Sequence, residues 1–274
     1  MSASPRITGA TRLYAIVGDP IEQVRSPEVF TERFAQAGID AVMLPMHVPA
    51  AQFDTILPGL LALGNVDGLL VTVPHKARML AFANKVGPGA AAIGAINALR
   101  REPDGSWYGD MFDGKGFVRG MEKKGGRIAG RRVALFGAGG AGSAIACALA
   151  EAGAASIRVI DPAAERVAGL VAALNKAFPA CDSRGAPAVP DDADMIVNAS
   201  PVGMKPGDGL PGTLPVLKPG MLVGDVVIVP EPTAIVRAAQ AAGCTWSEGR
   251  DMHGGQVDAL LAFFAAARPA GAVR

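Results

Sequence analysis

Arg132-Val133-Ala134-Leu135-Phe136 runs directly into Gly137-Ala138-Gly139-Gly140-Ala141-Gly142, and the helical stretch Ser143–Glu151 follows. A short apolar strand, a G-x-G-x-x-G turn and a helix are the parts needed to hold a pyrophosphate. Gly137 permits the tight turn. Gly139, with Gly140 beside it, lets the backbone approach the anion, and Gly142 lets the helix pack closely on the strand. The helix N-terminus adds unpaired N–H groups and the positive end of its dipole. Asp161 closes the next strand (Ile157–Ile160), 19 positions after Gly142, where a carboxylate can accept both hydroxyls of an adenine ribose. Glycine supplies 35 of 274 residues, so the glycine pattern alone is weak; strand, turn, helix, strand and acid in this order are what give it meaning.

These parts need a scaffold. Leu13–Val17, Ala41–Leu44 and Gly68–Val73 have the composition of buried strands. They are separated by helical patterns at Pro27–Ala37 and Phe53–Leu63, the second interrupted by Pro58. Lys76–Ala83 reads as helix. Ala95–Arg100 and Trp107–Tyr108, flanking Asp104-Gly105, read as a strand pair with a turn. A helix at Gly116–Lys124 leads into strands at Val133, Ile157, Met195–Ala199 and Leu222–Val227, with helices at Glu165–Ala177 and Thr233–Ala242. A last apolar helix spans about Gly254–Ala266. Strands alternating with helices predict an α/β fold with mostly parallel sheets in two domains. The expected division is residues 1–112, completed by 248–274, and a Rossmann-like domain over 113–247, with the ligand cleft between them.

Composition narrows the function. With 26 basic and 25 acidic residues the net charge is +1, which gives no footprint for nucleic acid or an anionic membrane. Cys147, Cys181 and Cys244 have no C-x-x-C spacing and read as free thiols of a reducing compartment. Met1–Arg12 has no apolar core of a signal peptide, and Leu69–Val73 and Met221–Val229 are too short to span a bilayer. A soluble cytoplasmic protein, monomer or homodimer, with a small-molecule substrate is the expectation. His47, His75 and His253 are scattered and make no metal site, so each reads as structural.

Several further segments are distinctive: Val71-Thr72-Val73-Pro74-His75-Lys76, Gly94-Ala95-Ile96-Asn97, Gly109-Asp110-Met111-Phe112-Asp113-Gly114, Asn198-Ala199-Ser200-Pro201-Val202-Gly203-Met204, and the late Met252 and Gln256. The first resembles the V-T-x-P-[FH]-K motif of shikimate dehydrogenases. In order and spacing the whole set is similar to the shikimate/quinate dehydrogenase family from Leu13 to about Phe264. The resemblance implies a catalytic pair, Lys76 and Asp113, and substrate contacts from Thr72, Asn97 and Gln256. It sets Asn198, Ser200 and Pro201, with the glycine loop, against a nicotinamide cofactor. The implied chemistry is coherent, because oxidising a secondary alcohol releases a hydride for the nicotinamide and a proton for a side chain. In isolation, a lysine after Pro-His is a solvated loop charge and an aspartate before glycine a turn residue.

The family pattern breaks at several places. Its S-x-S-P motif, two hydroxyls for the substrate carboxylate, is matched by Val24-Arg25-Ser26-Pro27, so only Ser26 keeps a hydroxyl. Met111 and Phe112 stand where Asn and Thr are usual, and Ile228 replaces a pocket Tyr. A buried substrate group left without partners costs on the order of 1–3 kcal/mol. The pattern therefore allows either retained shikimate turnover, with Val24 and Phe112 packed away from the ligand, or a less polar substrate anchored elsewhere, for example by Arg25. Asp161-Pro162-Ala163 stands where NADP-using members carry N-R-[ST], and a carboxylate repels a 2′-phosphate. NAD is the expected cofactor, with NADP the alternative through Arg158 or Arg166. A non-catalytic ligand sensor on the same scaffold has no need of a proton-transfer pair, and the motifs fit a folate-type dehydrogenase poorly.

Overall fold

Two six-stranded sheets, each covered by helices, organise the chain in the computed structural model, which describes residues 7–22, 24–205 and 207–267. The chain separates into two compact units: one runs to Met111 and resumes at Leu260, the other spans Phe112–Ala259.

In the first unit the elements are β1 (Arg12–Gly18), α1 (Ser26–Gln36), β2 (Ala41–His47), α2 (Phe53–Ala62), β3 (Val66–Val71), β4 (Lys85–Val86), α3 (Pro88–Ile93), β5 (Ala98–Arg101) and β6 (Trp107–Asp110). The sheet order is β2-β1-β3-β5-β6-β4. β1 runs parallel to β2 and β3, as the alternation of strand and helix predicts. β5 runs antiparallel to β3 and β6 antiparallel to β5, because the Asp104-Gly105 hairpin reverses the chain between β5 and β6 without a crossover helix. The sheet is thus mixed. Its core is aromatic: Tyr14 lies 4.8 Å from the rings of both Phe34 and Phe264. Gly68 makes room for this cluster, since a Cβ there would sit 2.6 Å from the Phe264 ring.

The segment expected as helix from Lys76 to Ala83 is only a 3₁₀ turn, Arg78–Phe82, beginning after Lys76. The Lys76 carbonyl accepts the Ile96 N–H at 3.0 Å, a long-range partner in place of a helical one. Pro58 sits inside α2 without ending it.

The second unit contains α4 (Asp113–Lys123), β7 (Arg132–Phe136), α5 (Gly140–Glu151), β8 (Ser156–Ile160), α6 (Ala164–Ala177), β9 (Asp182–Gly185), β10 (Met195–Asn198), β11 (Leu222–Asp225), α7 (Ala234–Ala241) and β12 (Thr245–Ser247), then α8 (Gly249–Ala265). All its strands are parallel, in the order β12-β11-β10-β7-β8-β9. Strand order reverses between β7 and β10, the switch point at which doubly wound sheets bind dinucleotides. Phe136, Ile196, Val223, Ile235 and Val236 build the core on one side. Phe117 of α4 lies on Gly224, where a Cβ would meet its ring at 2.3 Å.

The last helix differs from expectation in its allegiance. Residues 248–274 are expected with the first unit, but α8 groups with the second unit as far as Ala259 and with the first only from Leu260; residues 268–274 lie outside the described residues. The cause is close backbone packing of α8 on α4. A Cβ at Gly255 would lie 2.3 Å from the Gly116 carbonyl oxygen, and one at Gly120 would lie 2.6 Å from that of Asp251.

Among the described residues no helix is long and apolar enough to cross a membrane, and no group of three or more His, Cys, Asp or Glu could hold a metal. The three cysteines are free thiols and all are buried, and burial pushes the Cys147 thiol up to about 12.

Candidate active site

In the first unit the antiparallel pairing of β3 with β5 brings distant candidates together. The Val71 N–H donates to the Asn97 carbonyl at 2.8 Å, and Ile96 donates to the carbonyl of Lys76. Thr72 follows β3 and its N–H donates to Val17 at 3.0 Å. Its methyl occupies the space over Gly18, where a Cβ would stand 2.4 Å away. Thr72, Lys76 and Asn97 therefore gather at the carboxyl end of β3. Asn97 is buried, while Thr72 and Lys76 are half-buried.

His75, beside Lys76, is fully buried. Its Nε2 meets the Val48 carbonyl at 2.7 Å and its ring stacks on Phe53 at 4.3 Å, so it is a packing residue, as expected. His47 pairs with Asp19 at 2.9 Å. That hydrogen bond, with one from the Ala50 N–H, holds the Asp19 carboxyl below its ordinary range. The Asp19 N–H in turn donates to Val73 at 3.0 Å, bracing the turn that carries Lys76.

Ser26 opens α1, and Val24 lies two residues before it, half-buried. Arg25, the alternative anchor for a substrate carboxylate, forms an exposed pair with Glu28 at 3.2 Å.

In the second unit Asp113 begins α4 and Gln256 lies on α8. The Gln256 amide donates to an Asp113 carboxylate oxygen at 2.8 Å across 143 residues of sequence. The bare backbones of Gly116, Gly120 and Gly255 allow this approach. Sequence reasoning assigns Gln256 to the substrate; the structure also makes it a holder of Asp113. Phe112 is buried, with the Lys115 ammonium 5.4 Å from its ring centre, and Met111 is likewise buried. Ile228 is 63% exposed, an unusual position for a large apolar side chain, and rests on the bare backbone of Gly249.

The glycine loop has the geometry its sequence predicts. Gly137 takes φ +98°, and a Cβ there would press on the Ala199 carbonyl at 2.7 Å. A Cβ on Gly142 would stand 2.0 Å from the Gly137 carbonyl oxygen. Around Gly139 and Gly140 a Cβ would meet no heavy atom within 4 Å, the open approach a pyrophosphate needs at the start of α5. These residues fit a dinucleotide.

Asp161 does more than its motif predicts. Its two oxygens accept the Ala138 and Ala163 N–H groups, each at 2.8 Å, and these bonds hold its carboxyl below the usual range. Each oxygen keeps lone-pair capacity for a ribose hydroxyl. Arg158 is committed to Asp182, donating to its carboxylate at 2.7 Å, whereas Arg166 is exposed.

The Asn198 side chain is turned inward. It is fully buried, with both amide hydrogens donated to Val202 and Asp225 and its oxygen accepting from the Ser200 N–H and hydroxyl. An amide offers two donors and two acceptor sites, so all its side-chain hydrogen bonds are made within the protein. The Ser200 hydroxyl is spent on the same amide, and only Pro201 lies exposed. Two residues the sequence did not single out, Asp225 and Thr233, complete this network at 2.5 Å. Asp225 had a signal, an acid inside the apolar strand expected at Leu222–Val227; Thr233 had none beyond opening a helix.

Known proteins share this organisation. The signature of the shikimate dehydrogenase substrate binding domain matches residues 16–99. The shikimate dehydrogenase (NADP(+)) of Rubrobacter xylanophilus is 37% identical over 87% of this chain and 85% of its own. The Listeria monocytogenes shikimate 5-dehydrogenase, solved with shikimate and NAD, superposes with a TM-score of 0.84 at 28% identity, covering 97% of this chain and 95% of that one. The 5-ketofructose reductase of Gluconobacter sp. strain CHM43, solved without ligand, gives a TM-score of 0.81 at 27% identity over 96% of each chain.

Proposed function

The chain belongs to the shikimate dehydrogenase family, and on that premise we propose that it transfers a hydride between a nicotinamide dinucleotide and a ring hydroxyl of a shikimate- or quinate-like acid. The observation that carries this reading is the 2.8 Å hydrogen bond from Gln256 to Asp113, which unites two motif residues remote in sequence. A bound nicotinamide accepts or returns the hydride. Lys76 handles the hydroxyl proton at its Nζ, and Asp113, its carboxylate oriented by Gln256, is the acidic partner the motifs specify. Thr72 and Asn97 orient substrate hydroxyls from the end of β3. The residues that would hold the dinucleotide are Gly137, Gly139, Gly140 and Gly142 at the pyrophosphate and Asp161 at the ribose.

NAD is the preferred form in this reading, and NADP the alternative. The Rubrobacter relative is named for NADP, but here Asp161 presents a carboxylate where a 2′-phosphate would lie. Arg158 is engaged with Asp182, which leaves Arg166 as the cation for the alternative.

A second reading keeps the chemistry and changes the substrate. Val24 removes one of the two hydroxyls that hold a carboxylate, and Arg25 is paired with Glu28. The Gluconobacter protein, named for a ketosugar, supports the idea that this fold serves substrates other than ring acids. Catalytic efficiency for shikimate, quinate, less hydroxylated ring acids and ketosugars, each with NAD and NADP, decides between them. Efficient shikimate turnover with NAD upholds the first reading. A preference for substrates without a carboxylate upholds the second, and no turnover of any member overturns both.

A further inference from the structure

β10 ends on Asn198 and β11 on Asp225, and the two are partners in register. Neither is exposed to solvent. Asn198 Nδ2 donates to Asp225 Oδ1 at 3.0 Å and to the Val202 carbonyl at 2.9 Å. Asn198 Oδ1 accepts the Ser200 N–H at 3.1 Å and its hydroxyl at 2.7 Å. Asp225 Oδ1 also accepts the Val227 N–H at 3.0 Å, and Oδ2 accepts the Thr233 hydroxyl at 2.5 Å. Thr233 stands at the N-cap of α7, yet its hydroxyl is turned to Asp225 rather than to the helix. Gly203, at φ +104°, lies against the Thr233 methyl. One buried carboxylate thus ties together the loop after β10 and the loop after β11.

Such a carboxylate is costly to keep. Burial raises the Asp225 carboxyl above its ordinary range despite the donors around it. The topology suggests what the cost secures. The pyrophosphate turn lies at the end of β7 and the ribose acid at the end of β8, so a dinucleotide crossing the switch point must lay its other half over the ends of β10 and β11. Those ends open into the two tethered loops.

We infer that Asp225, acting through Asn198 and Thr233, is a positioning residue that fixes both loops to receive the nicotinamide-ribose half of the cofactor. The inference rests on the nicotinamide-dinucleotide reading above and deepens it: affinity for the two halves of the cofactor becomes separable. Loosening the loops leaves the adenine and pyrophosphate contacts at β7 and β8 intact and adds an ordering cost to binding the rest.

The test is calorimetric titration of the full-length protein with NAD and with ADP, which lacks the nicotinamide-ribose half, alongside thermal melts. Thr233→Val removes the hydroxyl at nearly constant shape. It is expected to weaken NAD about tenfold while leaving ADP affinity unchanged. Thr233→Ser keeps the hydroxyl and should retain NAD affinity. Asp225→Asn is the second variant, with the same selective loss expected, should Thr233→Val not yield folded protein. Equal weakening of NAD and ADP, or no weakening of either, overturns the inference. Wild-type protein that binds neither nucleotide overturns the cofactor reading instead.

Discussion

Lys76 is the residue on which the proposed chemistry turns. It lies just past the carboxyl end of β3, half-buried, with its carbonyl pinned by Ile96 and its neighbour His75 locked between Val48 and Phe53. In the proposed reaction this fixed backbone sets the point from which the Lys76 ammonium reaches a bound hydroxyl. Replacing it with alanine removes the proton carrier but touches none of the glycine loop. Steady-state kinetics of Lys76→Ala should therefore show turnover reduced by about 10²–10⁴, with NAD affinity by titration unchanged; near-normal turnover would remove Lys76 from the mechanism. Residue type and spacing singled out the glycines, whereas Lys76 and Asp113 stood out only through the order of the family motifs they resemble. Type and spacing did not show where the Asn198 amide is spent, because a polar residue in a motif looks the same whether its amide faces outward or the interior.

At the scale of elements, the crossing of α4 and α8 does work that no single motif announces. Gly116, Gly120 and Gly255 bring the two backbones together, and only at that distance does the Gln256 amide reach Asp113. A methyl at Gly255 has backbone rather than a flexible side chain in its way, so the helices must part. Gly255→Ala should cost ~1–3 kcal/mol, lowering the melting temperature by several degrees, and should also depress turnover by moving Gln256 off Asp113. A melt and turnover both equal to wild type would show that the helices are free to adjust. The elements missing from the sequence reading are short: β4 has two residues, β12 three, β9 four, and α3 reads Pro88-Gly89-Ala90-Ala91-Ala92-Ile93. None is long enough to express a period, so each exists because of what it pairs with.

For the whole molecule, binding is measurable as stability. A ligand that binds only the folded chain stabilises it by about 2.7 kcal/mol at a hundred times its dissociation constant. At ~2–4 °C per kcal/mol for domains of this size, saturating NAD should raise the melting temperature by roughly 5–10 °C. NADP should do so less at equal concentration, by the Asp161 argument, and a larger shift with NADP would reverse the assignment. The near balance of 26 basic and 25 acidic residues agrees with a small ligand rather than a polyanion.

The alternation of apolar strands and helices, the glycine turn and the ordered motifs are local properties of the chain, and they carried the α/β class, the nucleotide-binding unit and the family. What tertiary structure decided is non-local. The reversed direction of β5, the division of α8, the pairing of Gln256 with Asp113 and the burial of Asp225 beneath two loops each depend on which distant backbone comes near. Periodicity states that a face is apolar, but a hydrogen bond is specified by the position of its partner. That position is fixed only when glycines, strand ends and buried charges have been packed against one another.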